Sequence, residues 1–440
     1  MNSLNVAAIQ AHKTGTIMQF SLPAVIGMLL TSFITIADGF FMGNFIGKEA
    51  IAAVNLGLPI IYLFLATGLM VSVGGSVIAG IALGSRNLER CRAVFNQTMA
   101  TVTVCLVGLS AVVLFCFDPM LHVLGAEGAV AVHFKAYYLI MLVELPLMIL
   151  NSSFSMFIRN EGHPLYSMGV MILVVVLNIA LDYVFVGPCR FGVRGIAFAS
   201  LISAAAGLLC SLLFFLKKSR VFGFARFRFD RAVFRNTVFN GFSEFIGEMS
   251  MCVSMFAYNY VIMHRIGVDG VTAFTVVGYV AYLFSTIVIG FGQGISPLVS
   301  FAYGAGEKPL ARSLRRRTNA LIFAAGLFMI LLISGTSVRF STLFVKDPGV
   351  QSMIRTGVLI FMTNFLFCGI NAVSSFYFTS IGKAKESAVI SSARGLVVLL
   401  ICIFTLPVFF GMNGIWLTSP VSEAITLFIT IAYIAKDNRA

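Results

Sequence analysis

The chain has 440 residues, of which 59% are hydrophobic and only 11% are charged. Soluble globular proteins carry about 25% charged residues, so this composition excludes an ordinary soluble domain and predicts a protein embedded in lipid. The net charge of +13 raises the question of a nucleic-acid partner. We expect none, because basic residues on the cytoplasmic loops of a membrane protein account for the excess.

Twelve apolar runs follow one another along the chain, and each is long enough for a helix that crosses about 30 Å of hydrocarbon. The runs are continuous rather than alternating, which predicts helices and not a membrane barrel. The first run is too long for a signal-peptide core, so we expect it to remain in the protein. The predicted spans are 17–41, 51–80, 94–117, 133–157, 167–187, 194–216, 238–262, 272–300, 319–343, 354–379, 388–410 and 414–435.

Lysine and arginine predict the orientation of these spans. If the termini and the even-numbered connections lie on one side, that side holds 22 of the 30 basic residues, with Arg394 counted in the last such connection. This bias predicts that both termini are cytoplasmic.

The two halves of the chain are related in sequence. A shift of 220 residues superimposes glycines and polar residues across five spans, and the last span fits with a shift one residue shorter. Matched pairs include Ser76 with Ser296, Gly84 with Gly304, Asn151 with Asn371, and Gly195 with Gly414. The fold predicted is all-α, with two pseudo-symmetric six-helix bundles around a central cleft: 1–216, a linker 217–237, and 238–440.

This arrangement is typical of secondary transporters that work by alternating access. The sequence contains no G-x-x-x-x-G-K-[ST] nucleotide motif and no evident channel filter, so neither an ATP-driven pump nor a channel is predicted. No enzymatic activity is expected, and the eight cysteines lack metal-site spacing. The linker alternates arginine with phenylalanine. We interpret it as a basic loop, with a position on the membrane surface as the alternative.

The whole chain resembles the multidrug and toxic compound extrusion (MATE) family of cation-coupled exporters, and 241–280 is similar to the bacterial drug exporters of the MepA type. The motifs are Pro23, Ala37-Asp38-Gly39-Phe40-Phe41-Met42-Gly43, Leu83-Gly84-Ser85-Arg86-Asn87, Arg159-Asn160-Glu161-Gly162-His163-Pro164, Leu177-Asn178-Ile179-Ala180-Leu181-Asp182, Gly241-Phe242-Ser243-Glu244, Gly290-Phe291-Gly292-Gln293-Gly294 and Tyr303-Gly304-Ala305-Gly306.

Six acids lie within the predicted spans: Asp38, Glu144, Asp182, Glu244, Glu248 and Glu423. A charge at the bilayer centre costs at least about 2.5–3.5 kcal/mol, so each is a functional candidate. No lysine or arginine is expected deep in any span. The acids therefore need protons, bound cations or the charge of a substrate.

Helix direction places Asp38 and Asp182 in the outer halves of spans one and five, with Asn178 one turn from Asp182. The family resemblance implies a cation site formed by Asp38, Asn178 and Asp182, with hydroxyls from Ser200 and Tyr137. The coupling ion is H⁺ or Na⁺, and Na⁺ would bind at the first three residues. The alternative is that neighbouring hydroxyls cap these acids, without a role in transport.

Glu244 and Glu248 lie four residues apart on span seven, so they share a helix face. We predict that they bind cationic, lipophilic drugs, with Glu423 and Glu144 as further candidates. The alternative for the pair is local hydrogen bonding to Ser243 or Ser250. The 220-residue shift pairs none of these acids with another acid, which predicts a single coupling site in the N-terminal half.

The leading functional prediction is a cation-coupled multidrug exporter in the bacterial plasma (inner) membrane. We expect a monomer with no cofactor apart from the coupling ion. The first alternative is a lipid-linked saccharide flippase of the same superfamily, whose members usually carry basic residues in the cavity. The second is a membrane scaffold or receptor that does not transport.

Overall fold

The computed structural model describes residues 4–439, apart from the side chains of Val123, 337–341, 343 and 344. The outermost ends of the two predicted bundles, 1–3 and Ala440, and the side chain of Arg339 therefore lie outside the described residues. Within the described part, the secondary structure is helical and contains no strand. The predicted all-α class is confirmed.

The first half contains six long helices, with short helices at Val6–Ala11, Lys48–Leu56 and Phe117–Val123. The long helices are α1 (Lys13–Ile46), α2 (Leu58–Gly84), α3 (Leu88–Phe115), α4 (Gly128–Asn160), α5 (Pro164–Val186) and α6 (Val193–Lys217). The last five residues of α1, Met42–Ile46, are π-helical.

The second half also contains six long helices. They are α7 (Arg231–Arg265), α8 (Val268–Gly304), α9 (Lys308–Phe344), α10 (Pro348–Ser380), α11 (384–410) and α12 (412–439). The last two form a continuous helical run that is interrupted at Gly411, where φ is 54°. Glycine adopts this left-handed conformation without the steric cost that a side chain would add.

Ten helical segments of the described chain are long and apolar enough to cross a membrane, with Ala384–Arg439 counted as one. The break at Gly411 divides Ala384–Arg439 into two spans, which adds one to this number. Helix α7 adds another, because its 35 residues would extend over about 52 Å. The two glutamates and three asparagines of α7 lower its hydropathy. Every predicted span thus falls on an observed helix, although Gly57 separates Lys48–Leu56 from α2.

The described chain divides into two compact units. Unit 1 contains the residues up to Ala11, Ile26–Gly241 and Gly304–Gly306. Unit 2 contains His12–Val25, Phe242–Tyr303 and the chain from Glu307 onward. The first turns of α1 therefore belong to unit 2 and the remainder of α1 belongs to unit 1.

Helices in unit 1 pack closely through small and hydroxyl residues, which is typical of helix contacts in membranes. The α-carbon of Gly75 faces the side chain of Thr98 so closely that an added methyl group would collide with it. The hydroxyls of Ser72 and Ser153 lie 2.5 Å apart and join α2 to α4. In an apolar environment, such bonds satisfy polar groups that water would otherwise solvate.

One hydrogen bond recurs at equivalent positions in the two units. In unit 1, Asn160 Nδ2 donates to the backbone oxygen of Ser76 at 2.7 Å, joining α4 to α2. In unit 2, Ser380 Oγ donates to Ser296 Oγ at 2.8 Å, joining α10 to α8. Both pairs are related by the 220-residue shift.

A second bond recurs between the fourth and sixth helices of each half. Ser211 Oγ donates to Asn151 Oδ1 at 2.8 Å in unit 1. Thr430 Oγ1 donates to Asn371 Oδ1 at 2.8 Å in unit 2. The hydroxyl partners differ by 219 positions, which is the slippage seen in the last span. The sequence repeat therefore extends to individual interhelical bonds.

Replacement of Gly326 by alanine tests this close packing. A methyl group at Gly326 of α9 would meet the backbone oxygen of Phe365 on α10, which cannot rotate away. We expect Gly326→Ala to destabilise the protein by about 1–3 kcal/mol, measured as a lower Tm in detergent. Gly108→Ala is the matched control, because nothing lies within 4 Å of its added methyl group. The packing argument fails if both variants have the same Tm.

Candidate functional site

In unit 1, the carboxyl groups of Asp38 on α1 and Asp182 on α5 adjoin each other. Asp182 is fully buried and Asp38 is partly buried. No hydrogen-bond partner among the described residues is found for the two oxygens of Asp182 or for the Oδ1 of Asp38. Two neighbouring carboxylates in a low-dielectric environment repel each other, so this pair is suited to bind one proton or one monovalent cation.

Asn178 lies one turn before Asp182 and connects α5 to α6. Its Nδ2 donates to Ser200 Oγ at 3.2 Å, and both residues are buried. The Oδ1 of Asn178 has no hydrogen-bond partner within the described part of the chain. An amide oxygen therefore remains available beside the carboxyl pair.

Tyr137 and Glu144 extend this group from α4. Tyr137 is buried and lies close enough to interact electrostatically with Asp38, Asp182 and Glu144. Glu144 is buried, interacts electrostatically with Asp38, and its Oε2 has no hydrogen-bond partner among the described residues. Glu144 was predicted with the substrate-facing acids, and its role remains a prediction. Its position along α4, two residues before Pro146, did not indicate this interaction with Asp38.

This oxygen-rich group, formed by Asp38, Tyr137, Glu144, Asn178, Asp182 and Ser200, is here named the carboxyl cluster. None of the ion pairs in residues 4–439 involves its acids. No group of three or more His, Cys, Asp or Glu side chains within those residues is arranged to hold a metal ion. The cluster can therefore exchange a proton, or provide oxygen ligands for a cation such as Na⁺ whose remaining ligands come from amide and hydroxyl groups.

In unit 2, Glu244 and Glu248 lie on α7, are partly buried and interact electrostatically with each other. The alternative in which Ser243 or Ser250 binds them is not observed in the described residues. Ser243 Oγ lies 3.1 Å from Thr379 Oγ1, and Ser250 Oγ donates to the Ile246 carbonyl at 2.5 Å. Neither serine therefore forms a hydrogen bond with Glu244 or Glu248 in the described chain.

The expectation that no basic residue lies deep in a span is wrong. Arg394 lies ten residues into α11, about 15 Å from its start, within the π-helical turn Ala393–Val397. Its Nε donates to Glu423 Oε1 at 2.9 Å, and its Nη2 lies 2.9 Å from the same oxygen in an ion pair. Arg394 also interacts electrostatically with Glu244. Arg394 had been counted with the connection before α11, so the side that contains the termini has one basic residue fewer than the 22 counted from the sequence.

The rest of the Glu423 carboxylate is also engaged. Asn371 Nδ2 donates to Glu423 Oε2 at 2.7 Å and to the Glu423 backbone oxygen at 2.8 Å. Glu423 is only 5% exposed. This acid was predicted to face substrate, but Arg394 and Asn371 together occupy both of its oxygens.

Helix α7 meets α11 at the π-helical turn. Ser254 Oγ donates to the Gly395 carbonyl at 2.8 Å, and a methyl group at Gly395 would collide with Ser250. Glycine at this position lets α7 approach Arg394. Single π-helical turns often occur at functional sites, and this one could have been suspected only from the unusual arginine.

Comparison with known proteins gives consistent results. The profile of the MatE family matches residues 23–184 and 245–404, one segment in each half. The multidrug export protein MepA of Staphylococcus saprophyticus is 23% identical over 424 residues, covering 96% of this chain and 93% of the relative. MepA of Staphylococcus haemolyticus is 23% identical over 423 residues, covering 94% and 91%.

Solved structures share the fold. A MATE protein crystallised with MaD5 superimposes with a TM-score of 0.92 at 21% identity, covering 100% of both chains. An outward-facing multidrug resistance MATE family transporter gives 0.90 at 21% identity, covering 97% and 96%. A transporter of the MOP superfamily from Pyrococcus furiosus, described as having reversed binding-pocket polarity, gives 0.89 at 21% identity, covering 96% and 95%.

These structural matches are below 25% identity and establish the fold. The family profile covers most of the chain, in two segments that begin near Pro23 in the first half and near Glu244 in the second. The protein is therefore a multi-pass membrane protein that belongs to the MATE family.

Proposed function

We propose that this protein is a secondary active multidrug exporter, in which inward movement of H⁺ or Na⁺ drives the export of lipophilic cations by alternating access. The observation that carries the proposal is the adjoining pair Asp38 and Asp182, which lacks a basic partner among the ion pairs of the described chain. The names of the MepA relatives support drug export.

Ion binding changes the interaction between α1 and α5. With the pair unoccupied, repulsion between the carboxylates of Asp38 and Asp182 favours separation of the two helices. One proton or Na⁺ removes this repulsion and joins the helices. A ligand changes a conformational equilibrium only by its different affinity for the two states, and the carboxylate pair supplies such a difference.

Other members of the carboxyl cluster have supporting roles in this proposal. Asn178 offers its free amide oxygen to the ion, while Ser200 holds the amide in place. Tyr137 offers a hydroxyl near both aspartates. Glu144 is assigned here to the coupling group, because it is buried and interacts electrostatically with Asp38. In this proposal the Glu144 carboxyl is a third group near Asp38 that can take up and release a proton.

Glu244 and Glu248 are proposed to bind the positive charge of the drug. Arg394 forms its ion pair with Glu423, so little of its positive charge is available to neutralise Glu244 and Glu248. Phe242 and Phe245 lie next to Glu244 in sequence with stacked rings, 6.0 Å between centroids. Acidic groups beside aromatic surfaces suit flat, lipophilic cations.

The proposed location is the bacterial plasma membrane, with both termini in the cytoplasm and the protein acting as a monomer. The excess of basic residues on the side of the termini supports this orientation. Substrates would leave chemically unchanged. The flippase alternative gains no support from Arg394, because Glu423 already neutralises this deep basic residue.

Efflux from proteoliposomes tests the coupling role. We expect ethidium transport by the wild type under an imposed H⁺ or Na⁺ gradient, and the gradient that works identifies the ion. Asp38→Asn and Asp182→Asn should each lower the initial rate on the order of 10-fold or more, because each removes a charge that the ion neutralises. Protein levels in the membrane should not change.

Asp118→Asn is the matched control for this experiment. Asp118 lies outside the long helices and its carboxylate is exposed, 2.8 Å from Lys135 Nζ. The Lys135 ammonium lowers the pKa of Asp118, so the group is ionised at neutral pH like a typical surface acid. Undiminished efflux in Asp38→Asn or Asp182→Asn would exclude the proposed coupling pair.

Equilibrium binding tests the role of the α7 acids. We expect Glu244→Gln and Glu248→Gln to raise the Kd for ethidium on the order of 10-fold, since each removes an attractive charge in a low-dielectric environment. The Kd for a neutral lipophilic dye should remain unchanged. Glu307→Gln, in the α8–α9 connection, is the control. Equal weakening of the neutral dye would contradict a charge-specific role.

Thermal denaturation tests the ion pair of Arg394 with Glu423. We expect Arg394→Met to destabilise the protein by about 3–5 kcal/mol, because it leaves a buried carboxylate uncompensated. The double variant Arg394→Met/Glu423→Gln should recover most of the lost Tm, since neither partner then carries a charge. If the double variant is as unstable as Arg394→Met alone, packing of the arginine rather than its charge stabilises α11.

A further inference from the structure

The connection from α6 to α7 is an extended segment held against unit 1, here named the strap (219–230). Glu161, just after α4, binds its beginning. Glu161 Oε1 accepts from the backbone N–H groups of Arg220 at 2.6 Å and Val221 at 3.2 Å, and its Oε2 accepts from Ser219 Oγ at 2.6 Å. The strap therefore starts from a fixed point.

Two side-chain amides of α3 bind the middle and the end of the strap. Asn96 Nδ2 donates to the Gly223 carbonyl at 2.8 Å, and its Oδ1 accepts from Ala225 N at 3.2 Å. Gln97 Nε2 donates to the Asp230 carbonyl at 2.8 Å, and its Oε1 accepts from Asp230 N at 3.1 Å. Each amide binds backbone in the way that a neighbouring strand would, so the strap has a defined conformation.

Two phenylalanines pack the strap against unit 1, and three of its rings are partly exposed. Phe222 is fully buried, with ring centroids 5.2 Å from Phe157 and 5.8 Å from Phe95. Phe224 also packs inward, with ring centroids 5.6 Å from Phe95 and 6.2 Å from Phe154. The partly exposed rings are Phe224 at 48%, Phe227 at 37% and Phe229 at 59%. The strap thus presents apolar surface outward although its backbone and two of its rings are bound inward.

Two basic residues of the strap, Arg226 and Arg228, form no ion pair with an acid in the described chain. Both are exposed. Asp230 is the single acid between Lys217 and Arg235. Its Oδ1 accepts from Ala232 N at 2.7 Å at the start of α7, so its carboxylate is directed to that helix.

A shallow groove, widely open to its surroundings, runs along the strap and is lined by Asn96, Phe224, Ala225, Arg226 and Phe227. Its walls combine two aromatic rings with one guanidinium. The side-chain amide of Asn96 is already bonded to backbone groups. Arg226 is therefore the polar side chain of the groove lining that can bind a charged ligand.

We expect the strap to lie at the depth of the lipid headgroups, because it adjoins the ends of two long apolar helices. It is bound to the first turns of α3, which begins at Leu88, and it follows the end of α6 at Lys217. Both helices are long and apolar enough to cross a membrane. Aromatic and basic side chains are enriched at this boundary, where rings contact the lipid and cations contact phosphate.

We propose that the strap and its groove bind anionic phospholipid, with Arg226 and Arg228 pairing with the headgroup phosphate while Phe224 and Phe227 contact the glycerol and upper acyl region. Unpaired arginines beside an anionic leaflet are attracted to it, and the fixed strap presents them without further ordering. This binding does not depend on the proposed transport function.

Titration of the purified protein in detergent with phosphatidylglycerol or phosphatidylcholine tests the proposal. We expect phosphatidylglycerol to raise the Tm by several degrees and phosphatidylcholine to raise it far less. Arg226→Gln/Arg228→Gln should lose most of this difference. The control Lys308→Gln/Arg316→Gln removes two other exposed basic residues and should retain it.

The wild type alone gives a second test. Raising the NaCl concentration from about 0.1 M to about 1 M should suppress the response to phosphatidylglycerol, because salt screens exposed charges. Soluble glycerol phosphate should not reproduce the Tm increase. An equal increase with glycerol phosphate would identify a site for soluble anions and overturn the lipid assignment. An equal response in Arg226→Gln/Arg228→Gln would show that the strap does not bind the lipid.

Discussion

A carboxylate inside a membrane-spanning helix has little water to solvate it, so protein, a proton or a bound cation must balance its charge. The two units meet this requirement differently. In unit 2, Arg394 and Asn371 occupy the oxygens of Glu423. In unit 1, Asp38 and Asp182 adjoin each other, and no ion pair of the described chain involves either of them. The first arrangement balances the carboxylate with protein groups, whereas the second leaves room for the proton or cation proposed above.

The polar bonds between helices make this contrast possible. Asn178 holds Ser200 between the fifth and sixth helices of the first half, and Arg394 holds Glu423 between the corresponding helices of the second half. Neutral groups join α5 to α6, and both oxygens of the nearby Asp182 lack a hydrogen-bond partner in the described chain. A charged pair joins α11 to α12, and each carboxylate oxygen of Glu423 has a protein partner. Equivalent helices thus carry an unpaired acid in one unit and a paired acid in the other.

The sequence predicted the fold well because hydropathy is a local property of the chain. Each apolar run became a helix, and the 220-residue shift even pairs Ser76 and Asn160 with Ser296 and Ser380, which form equivalent bonds. The neighbours of individual side chains were harder to predict, because they depend on the rotation and bending of helices.

Arg394 illustrates this limit. One extra residue per turn in the π-helical segment changes the face on which every later side chain lies. Tertiary packing, including the close contact between Gly395 and Ser250, accompanies that turn. Glu144 is a second case, since its electrostatic interaction with Asp38 depends on how α4 and α1 pack and not on its position along α4. The strap is a third, because its conformation depends on Asn96 and Gln97, more than 120 residues earlier in the chain.

The recurring interhelical bonds separate what the two halves share from what differs between them. Asn151 with Ser211 and Asn371 with Thr430 form the same kind of bond in the two halves. The acids of the two halves do not correspond, since Asp38 matches Tyr258 and Asp182 matches Cys402. The bonds that join helices therefore do not depend on these acids, so the charge of one half can differ from that of the other while both keep the same helix contacts.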